Sequence, residues 1–194
     1  MAKVGRPIGK KGQSPAFTLP QLKSVFAVAK AGRNGLRNHA FLQLLFSSAL
    51  RASEPTAFVR GDVEAADGSI VETFTLGGDK NKSGRNRTVF VNKSTREALR
   101  LYLATLPTHT ETKLFPFSPN YASWLCTELC KKANLPTHSS HSFKRTALHY
   151  ASDELGLQMH QLQMLASHSS PQTTVLYLNR SPKPIQDKLR NVSL

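Results

Sequence analysis

The chain has 194 residues, 39% of them hydrophobic, enough for one domain with a real core and too many for a disordered chain. No apolar run approaches the ~20 residues of a bilayer span, and the basic start MAKVGRPIGKKG lacks the apolar core of a secretion signal, so a cytoplasmic protein is expected. The 26 Lys and Arg residues against 12 Asp and Glu give a net charge of +14, which points to a polyanionic partner, nucleic acid first.

Residues 1–16, rich in Gly, Pro and Lys and free of acids, read as a mobile basic arm. Order is expected from Thr18, where T-L-P-Q forms a capping box. The helix it opens places Leu22, Val25, Phe26 and Ala29 on one face and closes at Gly32 to Gly35. A second helix over about 37–50 carries Phe41, Leu42, Leu44, Leu45 and Leu50. Ser53 is placed to cap a short third helix, with Pro55 in its first turn. SIVETFTL (69–76) and RTVFV (87–91) are strand-like. The intervening GGDKNKSGRN is a hairpin turn made strongly basic by Lys80, Lys82, Arg85 and Arg87. Helical spacing returns from Ser94 with Leu99, Tyr102, Leu103 and Leu106, and after Ser118 with Trp124, Leu125 and Leu129. HSFKRTALHYASDEL (141–155) reads as a helix with Phe143, Ala147, Tyr150 and Ala151 on its core face, ended by Gly156. Short helices are expected over about 158–166 and 171–178. The fold class is therefore mainly α with a small antiparallel β-sheet, an α+β domain.

Cys126 and Cys130 with His138 and His141 spell C-x3-C-x7-H-x2-H, a spacing that invites zinc. The gap is short beside the ~12 residues of a usual finger. The two cysteines also fall at i, i+4 in a buried-looking helix, which favours small core residues.

Several polar residues are left unexplained by periodicity. Arg51 follows the apolar helix, and Lys82 sits in the hairpin. His141 and Lys144 lie one helical turn apart and can face one point. His168 precedes a Ser/Pro helix start, and Tyr177 follows nine residues later. Singly, each is more often structural. Together they suit metal-free attack on a phosphodiester. Arg, Lys and His donors stabilise the charge gathering on the non-bridging oxygens, a tyrosine serves as nucleophile, and a lysine protonates the departing hydroxyl. No carboxylate pair stands near them at metal-ligand spacing.

The order of these elements resembles the catalytic domain of the tyrosine recombinases, the phage integrase family. FLQLLFSSALRASEP is similar to the family's first arginine motif, with Arg51 and then Glu54. LGGDKNKSGRNRTVFV resembles its β-hairpin, with Lys82 in the catalytic lysine position and Lys80 as the near alternative. HSFKRT resembles the H-x-x-R box, and LASHSSPQTTVLYL the L-G-H box followed by the nucleophile. The likeness runs over about residues 17–180. It implies domain limits of 17–181, with a C-terminal tail over 182–194 that docks on a neighbouring protomer. It implies a site-specific recombinase without cofactor. Tyr177 forms the 3′-phosphotyrosyl link, Arg51, His141, Lys144 and His168 hold the phosphate, and Lys82 is the general acid. Lys80, Arg85, Arg87 and Arg145 are expected on the DNA backbone. The implied partners are double-stranded DNA with a specific site, a homo-tetramer built from monomers on that DNA, and accessory DNA-bending proteins, at the nucleoid.

Three departures stand out. The second arginine position holds Lys144, a point charge in place of a two-pronged fork, worth ~1–3 kcal/mol if one charge-assisted bond is lost. Arg145 is turned about 100° off that face. L-G-H is A-S-H, so Ser167 either avoids a positive φ or is strained. The family's N-terminal clamp has no counterpart, which reads as a minimal recombinase or as a piece of a longer protein, and the arm 1–16 is placed to replace part of the clamp by wrapping the duplex. Two other activities compete with recombination. One is a DNA-binding protein of the same fold with weak or no cleavage because of Lys144, and the other is a type IB topoisomerase.

Overall fold

The structure is a computed structural model. It describes residues 14–80 and 84–178, with Lys80, Tyr177 and Leu178 described by their backbone alone. Lys82, most of the basic arm and the 182–194 tail lie outside the described residues.

Helix α1 (Leu19–Ala31) opens on the expected capping box. Thr18 N donates to Gln21 Oε1 at 2.9 Å, and Gln21 N donates back to Thr18 Oγ1 at 3.4 Å. Leu22, Val25 and Ala29 are buried along its inner face. Helix α2 (Gly35–Ser47) is the centre of the domain: Ala40, Phe41, Leu42, Leu44 and Leu45 are fully buried, and α1, α4 (Lys93–Leu103) and α6 (Ser140–Asp153) pack around it. Between them in sequence come a 3-10 turn (Glu54–Ala57), a one-turn helix α3 (Arg60–Val63) and the hairpin strands β1 (Thr73–Leu76) and β2 (Arg87–Phe90). Helices α5 (Pro119–Lys132), α7 (Met159–Ala166) and α8 (Pro171–Leu178) complete the domain. The mainly helical expectation with one small antiparallel sheet holds.

Four local expectations need correction. Ser53 makes no side-chain cap; the 3-10 turn after it is closed instead by Thr56 Oγ1 donating to the Ser53 carbonyl at 2.7 Å. Asn92, ahead of Ser94, caps α4 by accepting from Thr95 N at 2.9 Å. Glu72 continues the ladder by accepting from Val91 N at 2.8 Å, but residues 69–71 do not pair with the second strand. They turn back on α3, where Val71 N donates to Val63 O at 2.9 Å. Tyr150 is 36% exposed and touches Phe46 at the edge, so it is not a core residue like Phe143, Ala147 and Ala151.

The strands pair in antiparallel register, Thr73 with Phe90 and Leu76 with Arg87. Leu76, Val89 and Val91 bury one face, and Ser48 at the end of α2 grips β2 through the N–H and carbonyl of Phe90. The neck of the hairpin is tight: a Cβ on Gly78 would lie 2.6 Å from the Gly84 carbonyl oxygen. Ahead of α1, Phe17 stacks on His138 with centroids 4.6 Å apart, and its N–H donates to Thr146 Oγ1 at 2.8 Å. The described contacts thus reach back before Thr18 and tie the chain's entrance to α6. Cys126 and Cys130 are buried in the main core, as the small-residue reading expects, and burial pushes both thiols up, Cys130 to about 12.

Apolar packing divides in two. The main cluster joins α1, α2, α4, α5 and the hairpin around Phe41, Phe58, Phe115 and Phe143. A smaller one, Ala49, Ala147, Leu148, Ala151, Leu162 and Ala166, seats α7 on α6. Among the described residues no helix is long and apolar enough to cross a membrane.

Candidate active site

The chain leaves α2 through Ala49, whose backbone is left-handed at φ 48°, and delivers Arg51 at the start of the next turn. Glu54 sits three residues on. Its carboxylate is 3% exposed and accepts from Arg51 N at 2.6 Å, Arg51 Nη1 at 3.3 Å and Arg87 Nη1 at 2.8 Å. One buried anion therefore orients two guanidiniums. The Arg51 side chain remains 34% exposed and faces outward from this pair.

Arg87 was expected on the DNA backbone, and the structure corrects that. It is 3% exposed, and its second terminal nitrogen donates to the carbonyls of Ser48, Ala49 (3.3 Å) and Leu165 (2.6 Å). It pins β2 to the end of α2 and to α7. Its location at the buried end of the strand register, opposite Leu76, is what turns it inward. Arg85, two residues earlier, is exposed as expected.

On α6, Ser139 caps the helix by accepting from His141 N at 3.4 Å, which places His141 and Lys144 in its first turn and a half. Lys144 is only 1% exposed, and its Nζ donates to the Ala166 carbonyl at 2.7 Å, bridging α6 to the end of α7. Burial, then repulsion from Arg87 and Arg51 only partly opposed by Glu54, lowers its amine to about 6. At that value the amine is largely neutral in the DNA-free site at neutral pH. Arg145 turns off that face, as its 100° offset requires, and its Nη2 donates to the Leu176 carbonyl of α8 at 3.3 Å.

Helix α7 ends at Ser167, at φ 51° and ψ 48°. The A-S-H departure is thus the strained alternative: serine occupies the left-handed region that glycine enters freely, at a cost of roughly 1–2 kcal/mol. His168 follows at 7% exposure. Its N–H and carbonyl are both held by Gln163, and its Nδ1 lies 3.0 Å from Thr174 Oγ1 on α8. Burial, then Lys144, Arg51 and Arg87, lowers His168 to about 3; burial, then Lys144 and Arg51, also lowers His141. His168 is therefore neutral at neutral pH, His141 is held toward its neutral form, and both feel Lys144 and Arg51. Arg51, His141, Lys144 and His168 thus share one locale, assembled from the end of α2, the start of α6 and the α7–α8 turn. Tyr177 lies on α8, one turn after Thr174. Lys80 ends the 3-10 turn Gly78–Lys80 after β1. A cavity of about 360 Å³ opens beside His168 between β2 and α7, with Arg85, Thr88, His160 and Gln163 on its walls.

Three contributors escaped the sequence: Arg87 as an internal tie, the Ala166 carbonyl as the partner of Lys144, and Thr174 as the partner of His168. Only Thr174 left a trace there, three residues before Tyr177 and hence on the same helical face.

A model of the phage integrase family matches residues 16–183. No curated protein matches the sequence. Among solved structures, XerA recombinase superposes with a TM-score of 0.74 at 17% identity, over 100% of this chain and 68% of that one. The integrase of transposon Tn1549, in complex with transposon right end DNA, gives 0.67 at 16% identity, over 95% of this chain and 68% of that one. The catalytic domain of bacteriophage HP1 integrase gives 0.63 at 16% identity, over 92% and 95%.

Proposed function

The chain belongs to the phage integrase family, and from that premise we propose that it is a site-specific DNA recombinase acting through a covalent 3′-phosphotyrosyl link on Tyr177. The Tyr177 hydroxyl releases its proton to water as its oxygen attacks the scissile phosphorus, and the bond from phosphorus to the 5′ oxygen breaks. Lys82 protonates the departing 5′ hydroxyl. The 5′ hydroxyl of a partner strand then attacks the phosphotyrosine and releases the tyrosine. Each step exchanges one phosphoester for another, so no ATP is consumed. Arg51 and the N–H groups of His141 and His168 donate to the non-bridging oxygens, and Lys144 joins them on taking up a proton. The partner is double-stranded DNA carrying a specific site, engaged by four protomers with accessory DNA-bending proteins, each tail 182–194 docking on its neighbour. Arg85, Lys80 and the outer face of Arg145 meet the DNA backbone.

The observation that carries this reading is the convergence of Arg51, His141, Lys144 and His168 beside the helix bearing Tyr177. Nicked suicide DNA carrying the target site tests it. The wild-type chain is expected to form an SDS-resistant adduct, and Tyr177→Phe to form none while still binding. The second reading, a DNA-binding protein that occupies sites without cutting, is favoured by the buried and largely neutral Lys144. Tight site binding with no adduct from the wild-type chain would establish it.

A further inference from the structure

A neutral imidazole carries one N–H and one bare nitrogen, so what it offers an anion depends on its tautomer. At His168 the nitrogen near α8 is Nδ1, 3.0 Å from the Thr174 hydroxyl. Thr174 is fully buried. Threonines inside helices commonly send their hydroxyl proton to the carbonyl four residues back, as Thr146 does to Ser142 O at 2.8 Å. Thr174 makes no such bond among the described residues. If its oxygen only accepted from Nδ1–H, its own buried proton would be left without a partner, which costs more than the alternative arrangement. The proton's acceptor is Nδ1.

We propose that Thr174 is a positioning residue for His168: its hydroxyl donates to Nδ1 and so holds the imidazole in the tautomer with its proton on Nε2. The inference rests on the reading of His168 as a phosphate donor, given above. With Nδ1–H the ring would present a lone pair to the phosphate oxygens and repel them. With Nε2–H it donates to the charge that grows in the transition state. The same bond ties the ring to α8, so the helix that carries Tyr177 and the donor for the phosphate are fixed relative to each other through Thr174. A carboxylate or carbonyl partner would have fixed the opposite tautomer; a hydroxyl with no other acceptor fixes this one.

The test uses the full chain and two readouts. Long-range proton–nitrogen NMR on the DNA-free protein near pH 7 reads the His168 tautomer without any cleavage. The wild-type chain is expected to show Nδ1 bare and Nε2 protonated, Thr174→Ser the same, and the isosteric Thr174→Val a mixture or the reverse. Single-turnover cleavage of nicked DNA is expected to fall about tenfold or more in Thr174→Val and to recover in Thr174→Ser, with DNA affinity and Tm little changed. Protonated Nδ1 in the wild-type chain, or a Thr174→Val variant that keeps both tautomer and rate, overturns the proposal. A wild-type chain that forms no adduct removes the recombinase reading instead, and the tautomer then decides this inference by itself.

Discussion

Glu54→Ala is expected to destabilise the fold by about 3–5 kcal/mol, more than any other single change at the site. The carboxylate is 3% exposed and its removal strands Arg87, itself 3% exposed, with a charge that burial already disfavours and that Glu54 offsets. It also frees the backbone N–H of Arg51 and one of its guanidinium bonds. Glu54→Gln keeps the shape and one acceptor but not the charge, and is expected to lose less. Urea unfolding measures both. A loss under about 1 kcal/mol for Glu54→Ala would mean that Arg87 finds water or another anion, and that the pair does not organise the site.

The second large effect belongs to Lys144 and runs in the opposite direction. Its amine is depressed from 10.5 to about 6 in the folded chain. Between those values the unfolded state binds the proton and the folded state does not, so stability falls as pH drops from about 10 to about 6. The slope from this one group reaches at most about 1.4 kcal/mol per pH unit, and it flattens below pH 6, where both states are charged. Lys144→Met removes the penalty and is expected to stabilise the DNA-free chain by about 1–3 kcal/mol at pH 7 while reducing cleavage. Urea midpoints at pH 6, 7, 8 and 9 check both sign and slope. A Lys144→Met chain that is less stable than wild type at pH 7, with an unchanged pH slope, would show that the Ala166 carbonyl bond outweighs the burial cost. Lys144→Arg, which cannot shed its proton, is expected to raise cleavage.

Helix positions were legible because their signals are local. The Thr18–Gln21 box, the apolar spacing on α2 and α4 and the punctuation at Gly32 and Gly156 needed no tertiary information. The order of Arg51, the hairpin, His141, Lys144, His168 and Tyr177 was legible as a family pattern. Burial of individual polar residues was not. Arg85 and Arg87 look alike in a basic loop, and only the pairing of Leu76 with Arg87 decides that one of them turns into the protein. Lys144 reads as a charge set at the phosphate, and its burial emerges only when Ala166 is brought beneath it by the packing of α7 on α6. Residues 69–71 have strand composition, but α3 competes successfully for Val71. In each case the deciding contact spans a distance in sequence that periodicity does not reach.

The division of the apolar interior has a mechanical meaning. Arg51 lies between Leu50 and Ala52 of the large aromatic cluster, whereas His168 follows α7, seated over a cluster of four alanines and two leucines, and Tyr177 lies on α8, packed against α6 and α7. Small side chains bury little area, so this platform opens at a lower free energy than the rest, and its amides in Leu162–Ala166 should exchange with solvent before those of Phe41–Leu45. In the proposed mechanism the Arg51 side of the site is the rigid one, and His168 and Tyr177 ride together on a separately yielding plate. In that mechanism strand breakage is timed by how the plate seats, while Arg51 stays held by Glu54.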